Sequence, residues 1–206
     1  YGLDRLLLIN IDSIAAGGKI VTKTLVLELM GKYSNIILIQ DEQIIDAMRK
    51  IGTNSSRVRT VLPGDNYILP PMQDKLNIFT DSLTAIMDRV KLDLEARLDK
   101  AILNTCLGFG PVSVKETCFL AGLAPSTRLN TLDDADFTSI ASALKEISAE
   151  ANSPSTESIL IIDSNKKILA MSAFPLHYLA DNTILKYDSV SQMLEYADKL
   201  AGNYVL

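Results

Sequence analysis

Leu25, Leu27 and Leu29 alternate with Thr24, Val26 and Glu28, the two-residue period of a half-buried strand. Residues 3–11, LDRLLLINI, are equally rich in strand formers, although Leu6, Leu7, Leu8 and Ile9 are too continuously apolar to alternate. Residues 31–35 turn the chain into a run at 36–39. Residues 40–43 turn it again, and 44–48 close an antiparallel meander. The next stretch, residues 56–77 (SRVRTVLPGDNYILPPMQDKLN), holds three of the seven prolines. With Val58, Val61, Leu62, Tyr67 and Leu69 available for burial, it reads as an ordered irregular connection rather than a linker.

From residue 81 the period lengthens. Asp81 or Ser82 can cap a helix whose Leu83, Ile86, Met87 and Val90 share one face. Leu94, Leu98, Ile102 and Cys106 carry the pattern to a GFGP turn, and a second apolar helix follows. Gly110 suits that helix's cap, Pro111 its first turn, and Gly122 the left-handed residue that ends it. Such a turn can place backbone amides on a phosphate chain, which makes Gly108, Gly110 and the nearby Lys115 candidate contacts to a nucleic-acid backbone. A helical hairpin that only builds core fits the same pattern. Phe109 is expected against core or ligand, and replacing Gly110 by Val is expected to damage the turn. A helix capped near Asp133 follows, with Phe137, Ile140, Ala141, Leu144 and Ile147 on one stripe. After a polar break at 153–158, residues 159–162 and 167–171 flank a hairpin turn. A last helix begins near Ser189, with Val190, Met193, Leu194 and Ala197 inward. The fold class expected is α+β, with a β-rich lobe over 1–80, a helical lobe over 81–151 and a small hairpin-plus-helix unit over 152–206.

Composition acts mainly by exclusion. At 206 residues, with 48% hydrophobic and 22% charged positions, the chain can build a core without staples. No apolar run is long enough for a membrane span, and there is no signal peptide. Cys106 and Cys118 fall on apolar helical faces and read as buried reduced thiols of a cytosolic protein. The net charge of −5 argues against gripping nucleic acid by bulk electrostatics, so any such contact must be local. The single histidine, His177, has no partner at metal spacing, and no nucleophile elbow, P-loop or zinc-helix motif occurs. No catalytic residue, metal site or cofactor follows, and the chain does not read as an enzyme.

Several segments occur together in one order: GLDR at residues 2–5, LVLELMGKYSNIILI, R-x-V-L-P-G-x-x-Y-x-x-P-P from Arg59 to Pro71, QDKL, GFGP before a helix, and YDSVSQMLEYAD at 187–198. The set resembles the NFACT-N domain of the FbpA/RqcH family, whose eukaryotic relatives include NEMF. The implied fold resembles the MutM-type DNA glycosylases, with a β-rich lobe and a helix–two-turns–helix unit at about residues 94–123, but without their catalytic nucleophile or zinc finger. The implied function is cytoplasmic ribosome quality control: binding the large ribosomal subunit, recruiting tRNA (alanyl-tRNA in bacteria), and supporting untemplated C-terminal tailing of stalled chains. The family's Asp-Arg pair for holding tRNA falls on Asp4 and Arg5. Arg offers a planar fork for phosphate or a base edge, and Asp can orient it. The alternative implied by the family's older name, fibronectin-binding protein A, is an adhesin module with fibronectin as partner. Relative to the family pattern, the section before GLDR, the coiled coil and the later domains are absent, so the chain reads as an excised piece of a longer protein.

Overall fold

The computed structural model describes residues 5–54, 59–71, 73–153 and 157–202. The chain divides into two compact units, residues 1–73 and 74–206.

The first unit is a four-stranded antiparallel meander: β1 (Leu6–Ile14), β2 (Ile20–Glu28), β3 (Asn35–Gln40) and β4 (Gln43–Ala47), in that order across the sheet. β1 runs three residues beyond its expected end. The cross-strand hydroxyl bonds Thr22–Asp12 (2.7 Å) and Thr24–Asn10 (2.8 Å) extend the pairing into the polar half of the hairpin. The turn between β3 and β4 has positive φ at both Asp41 and Glu42, matching the right-handed twist of the flanking strands. Val26, Ile37, Ile44, Ala47 and Val61 form the core of this unit. The strand expected from the alternation is present, but its faces are reversed: Val26 and Glu28 are buried, Leu25 and Leu27 are only partly buried, and Leu29 is 52% exposed, because the 59–67 connection supplies Val61 and the partners of Glu28 on that side. The 59–71 connection does deliver Val61 to that core, fully buried, but Leu69 remains 57% exposed. Beyond Tyr67 the chain runs as an exposed Ile68-Leu69 segment with no partner strand. Val58 lies outside the described residues.

The second unit opens with α1 (Leu83–Val90), capped by Ser82, whose hydroxyl accepts from the Ala85 N–H at 3.1 Å. α2 (Leu98–Thr105) and α3 (Pro111–Leu120) flank the GFGP turn, and α4 (Asp134–Ala151) starts in a capping box formed by Asp133 and Asp136. Leu94 does not join α2. Asp93 instead accepts from the Glu95 N–H at 3.1 Å in a local turn, the competition that short polar side chains offer to helix, and Leu94 is left 48% exposed. Ile86, Leu98, Ile102, Phe109, Val114, Ile140 and Leu144 share one core.

The chain ends in β5 (Ser158–Ile162), β6 (Ile168–Ser172), β7 (Thr183–Tyr187) and α5 (Val190–Leu200). β5 is the central strand and is buried along its whole length. The expected hairpin is β5–β6. The pattern missed β7, whose five residues TILKY carry only a weak alternation and pair with β5 rather than with their sequence neighbour. On α5, Met193 and Ala197 pack inward as expected, whereas Val190 and Leu194 are 46% and 48% exposed. One short three-stranded sheet covers only a narrow stripe of the helix.

Candidate nucleic-acid interface

Arg5 precedes β1, where its carbonyl accepts from the Leu29 N–H at 2.7 Å. Its backbone is therefore fixed at one end of the sheet while its side chain is exposed. Asp4, the other member of the expected pair, lies outside the described residues. The register carries this sheet end across all four strands. Leu6 pairs with Glu28, Glu28 with Asn35 and Ile37 with Ala47. Beyond β4, the Arg49 N–H donates to Asn35 Oδ1 and the Asn35 amide donates to the Arg49 carbonyl, both at 2.9 Å.

Each unit holds within itself one buried carboxylate that sequence reasoning did not single out as buried. Glu28 closes β2 at 1% exposure, with Arg59 Nη2 at 2.5 Å and the Tyr67 hydroxyl donating at 2.9 Å. Arg59 also donates to the Ile68 carbonyl at 2.8 Å. Burial, and then the bond to Glu28, push the Tyr67 hydroxyl well above the usual phenol range, because ionisation would place a second anion against the carboxylate. The R-x-V-L-P-G-x-x-Y stretch is thus a structural clamp.

In the second unit Glu116 of α3 is likewise 1% exposed. Its carboxylate accepts from the backbone N–H groups of His177 (2.8 and 2.9 Å) and Tyr178 (3.2 Å), with His177 Nδ1 at 2.7 Å. The single histidine is therefore half-exposed, with its inner nitrogen engaged by a carboxylate. In the sequence Glu116 sits beside Lys115 and Thr117 on a helix of mixed composition, so no local signal marked it as buried.

The GFGP turn places its residues unequally. Gly108 has φ +78° and is exposed, and Phe109 turns into the core at 6% exposure. Gly110 is the N-cap of α3, with Pro111 in the first turn. Gly110 is not the position that demands glycine: its φ of −124° suits any residue, and an added Cβ would meet nothing within 4 Å. The expectation that Val at Gly110 damages the turn is therefore corrected, and the left-handed requirement belongs to Gly108. Lys115 is exposed on α3 and Gly122 ends the helix at φ +70°. Asp4 and Arg5 belong to the first unit, and Gly108, Gly110 and Lys115 to the second.

Both thiols are buried and free. Burial pushes Cys106 up to about 12 and Cys118 up to about 11, the opposite of what a nucleophile needs. Among the described residues no group of three or more His, Cys, Asp or Glu is placed to hold a metal, and no helix is long and apolar enough to cross a membrane.

The family model for NFACT N-terminal and middle domains matches residues 1–200. The chain is 38% identical over 130 residues to the protein named Rqc2 homolog RqcH of Bacillus subtilis, an alignment covering 62% of this chain and 23% of that one. It is 40% identical over 81 residues to the protein of the same name from Streptococcus suis, covering 38% of this chain and 15% of that one. The chain thus spans less than a quarter of the length of these relatives. Among solved structures, the fibrinogen binding protein from Staphylococcus aureus superposes with a TM-score of 0.74 at 25% identity, covering 93% of this chain and 65% of the other. The N-terminal part of the fibronectin/fibrinogen-binding protein from Streptococcus suis gives 0.61 at 24% identity, covering 95% and 63%, and supports the fold alone.

Proposed function

This chain belongs to the family of NFACT N-terminal and middle domains, a family of ribosome quality-control factors, and on that premise we propose that it is a tRNA-binding module. In the intact protein it serves, in the cytoplasm, to hold tRNA on the large ribosomal subunit while a stalled chain receives its C-terminal alanine tail. It acts by binding, not by catalysis. The carrying observation is Arg5, an exposed guanidinium on a backbone pinned at the end of β1, at the position matching the family's Asp-Arg pair. Asp4 completes the pair. Gly108, Gly110 and Lys115 are the secondary backbone contact.

The test is Asp4→Ala with Arg5→Ala. The Arg5 side chain is exposed, and an exposed charged side chain contributes only about 0–1 kcal/mol to stability, so the melting temperature should hardly move. Binding of labelled tRNA, and the tRNA content of purified large-subunit complexes, should fall to background. Unchanged tRNA occupancy in the double variant rejects the proposal. A second reading, fibronectin or fibrinogen binding, is favoured by the names of the structural neighbours and by the exposed apolar edge strand β1, the kind of edge that accepts an added strand. Saturable binding of immobilised fibronectin, lost on substituting Lys at Ile9 and Ile11, would support it.

A further inference from the structure

In the second unit, the end of α4, strands β5 and β7 and the 175–180 segment line a cavity of about 360 Å³, within the size range of small-ligand sites. None of the residues of the candidate nucleic-acid interface lines it. Its apolar lining comes from Ile159, Leu176, Pro175 and Ile184, the first two of them buried. Its polar side chains are Glu150, Ser153, Glu157, His177 and Lys186.

One of these polar groups is held in a defined state. His177 Nδ1 lies 2.7 Å from Glu116 Oε1, and the His177 N–H donates to the same carboxylate. An ionised carboxylate only accepts, so the short contact assigns the hydrogen to Nδ1 and leaves Nε2 of the neutral ring as an acceptor. Among the described residues Nε2 has no partner, and the side chain is 52% exposed. Glu116 is thus a positioning residue, gripping the histidine by ring and main chain together.

The field around the ring is negative. Glu150 and Glu157 share the cavity with it, and Glu116 and Glu146 line the narrow cleft that adjoins it. Lys186 is the one cation among the described lining residues, and Glu157 already meets it at 2.5 Å. α4 adds the partial negative charge of a helix C-terminus, with no basic residue in its last turn to offset it. A carboxylate offers about four lone-pair sites, so Glu150 and Glu157 can accept beyond the partners they have. Among the described residues no three metal-ligating groups converge, so the cation that matches this field is an organic one.

We propose that this cavity receives an arginine side chain from a basic segment of a partner protein. The aliphatic stem lies on Ile159, Leu176 and Ile184, and the guanidinium donates to His177 Nε2 and to the Glu150 carboxylate. Arginine suits the site better than lysine because its planar fork serves two acceptors at once, whereas an ammonium is a compact and more strongly hydrated charge. RNA is the wrong partner, since its phosphates would face the same carboxylates. The inference is therefore independent of the tRNA reading and concerns a protein contact of the second unit.

The experiment titrates the 206-residue chain with a blocked pentapeptide, one arginine between two pairs of glycines, and follows the NMR signals of the cavity residues. Analogues replace the arginine by lysine, by glutamate, or by citrulline, which keeps the shape without the charge. The arginine peptide should shift the His177 imidazole and the amides of Ile159 and Ile184 saturably. The citrulline peptide should bind roughly ten-fold more weakly, as hydrogen bonds to a charged group become neutral ones. Glu150→Gln and His177→Ala should each weaken arginine binding by a similar factor. Lys186→Gln should tighten it by up to about five-fold, because it frees Glu157. All three positions are exposed, so melting temperatures close to wild type verify that the variants fold. Weaker arginine binding in Lys186→Gln, with the glutamate peptide or inorganic phosphate bound instead, would make the cavity an anion site and overturn the inference. Equal affinity for the citrulline or the lysine peptide overturns it too, since the guanidinium would not then be what is read. So does the absence of any saturable shift at the cavity residues. tRNA binding should be the same in all three variants, and its loss in them would assign the cavity to RNA and reject the protein partner.

Discussion

The two units bury one glutamate each, Glu28 and Glu116, to the same 1% exposure, and solve the resulting problem with opposite chemistry. Glu28 is neutralised by a formal cation, Arg59, and a phenol, both supplied by the 59–67 connection. Glu116 is surrounded by backbone N–H groups of the 177–178 turn and one half-exposed imidazole. An isolated buried carboxylate is prohibitive, and either a countercharge or a set of converging dipoles makes it tolerable. The countercharge ties side chain to side chain. Dipoles tie a side chain to a stretch of main chain, so Glu116 fixes the path of the segment between β6 and β7. Among the described residues no buried side-chain polar atom lacks a partner, so each solution is complete.

The difference can be broken most forcefully at Glu28. Glu28→Gln takes the carboxylate away from Arg59, 10% exposed at its side chain, and from the Tyr67 hydroxyl, and breaking a buried ion pair of this kind should cost about 3–5 kcal/mol. Combining Glu28→Leu with Arg59→Met should recover a large part of that loss, because the penalty is electrostatic. Urea titration measures both, and faster amide exchange confined to β2 and β3 would locate the effect. A smaller loss, about 1–3 kcal/mol, is expected for Glu116→Gln. There the new NH₂ must face at least one backbone donor, and faster exchange should appear at residues 177 and 178 rather than throughout the unit. A loss equal to that of Glu28→Gln would mean that Glu116 pairs with a full charge after all. The smallest effect belongs to His177→Ala, about 0–1 kcal/mol, since the ring is half in water and the two backbone donors remain. A loss above that range would make the imidazole, not the main chain, the principal partner of Glu116.

The fold class was legible for simple reasons. Alternation at residues 24–30 marked a strand, though not which of its faces is buried; helical spacing at 83–90 and 137–147 is likewise a local signal, and the caps at Ser82, Asp133 and Ser189 formed where hydroxyl or carboxylate preceded the periodic run. β7 was not legible because its partner is β5, more than twenty positions away in sequence, and its own five residues carry little pattern. The candidate site divides in the same way. Arg5, Gly108, Gly110 and Lys115 stand out through motif and turn chemistry. Glu150 and Lys186 do not, and His177 reads only as a lone histidine, because only the packing of distant segments brings the three to one cavity.

The sequence by itself determined the elements other than β7, the caps at Ser82, Asp133 and Ser189, and the α+β succession, because period, capping residues and turn glycines act over a few neighbouring positions. Only the tertiary structure decided that Gly108 rather than Gly110 carries the left-handed turn, and that Glu28 and Glu116 are buried anchors. It also decided that Glu150, His177 and Lys186 line one cavity. Those outcomes depend on which distant segments pack together, and burial and hydrogen-bond partners are properties of that packing, not of any local run of residues.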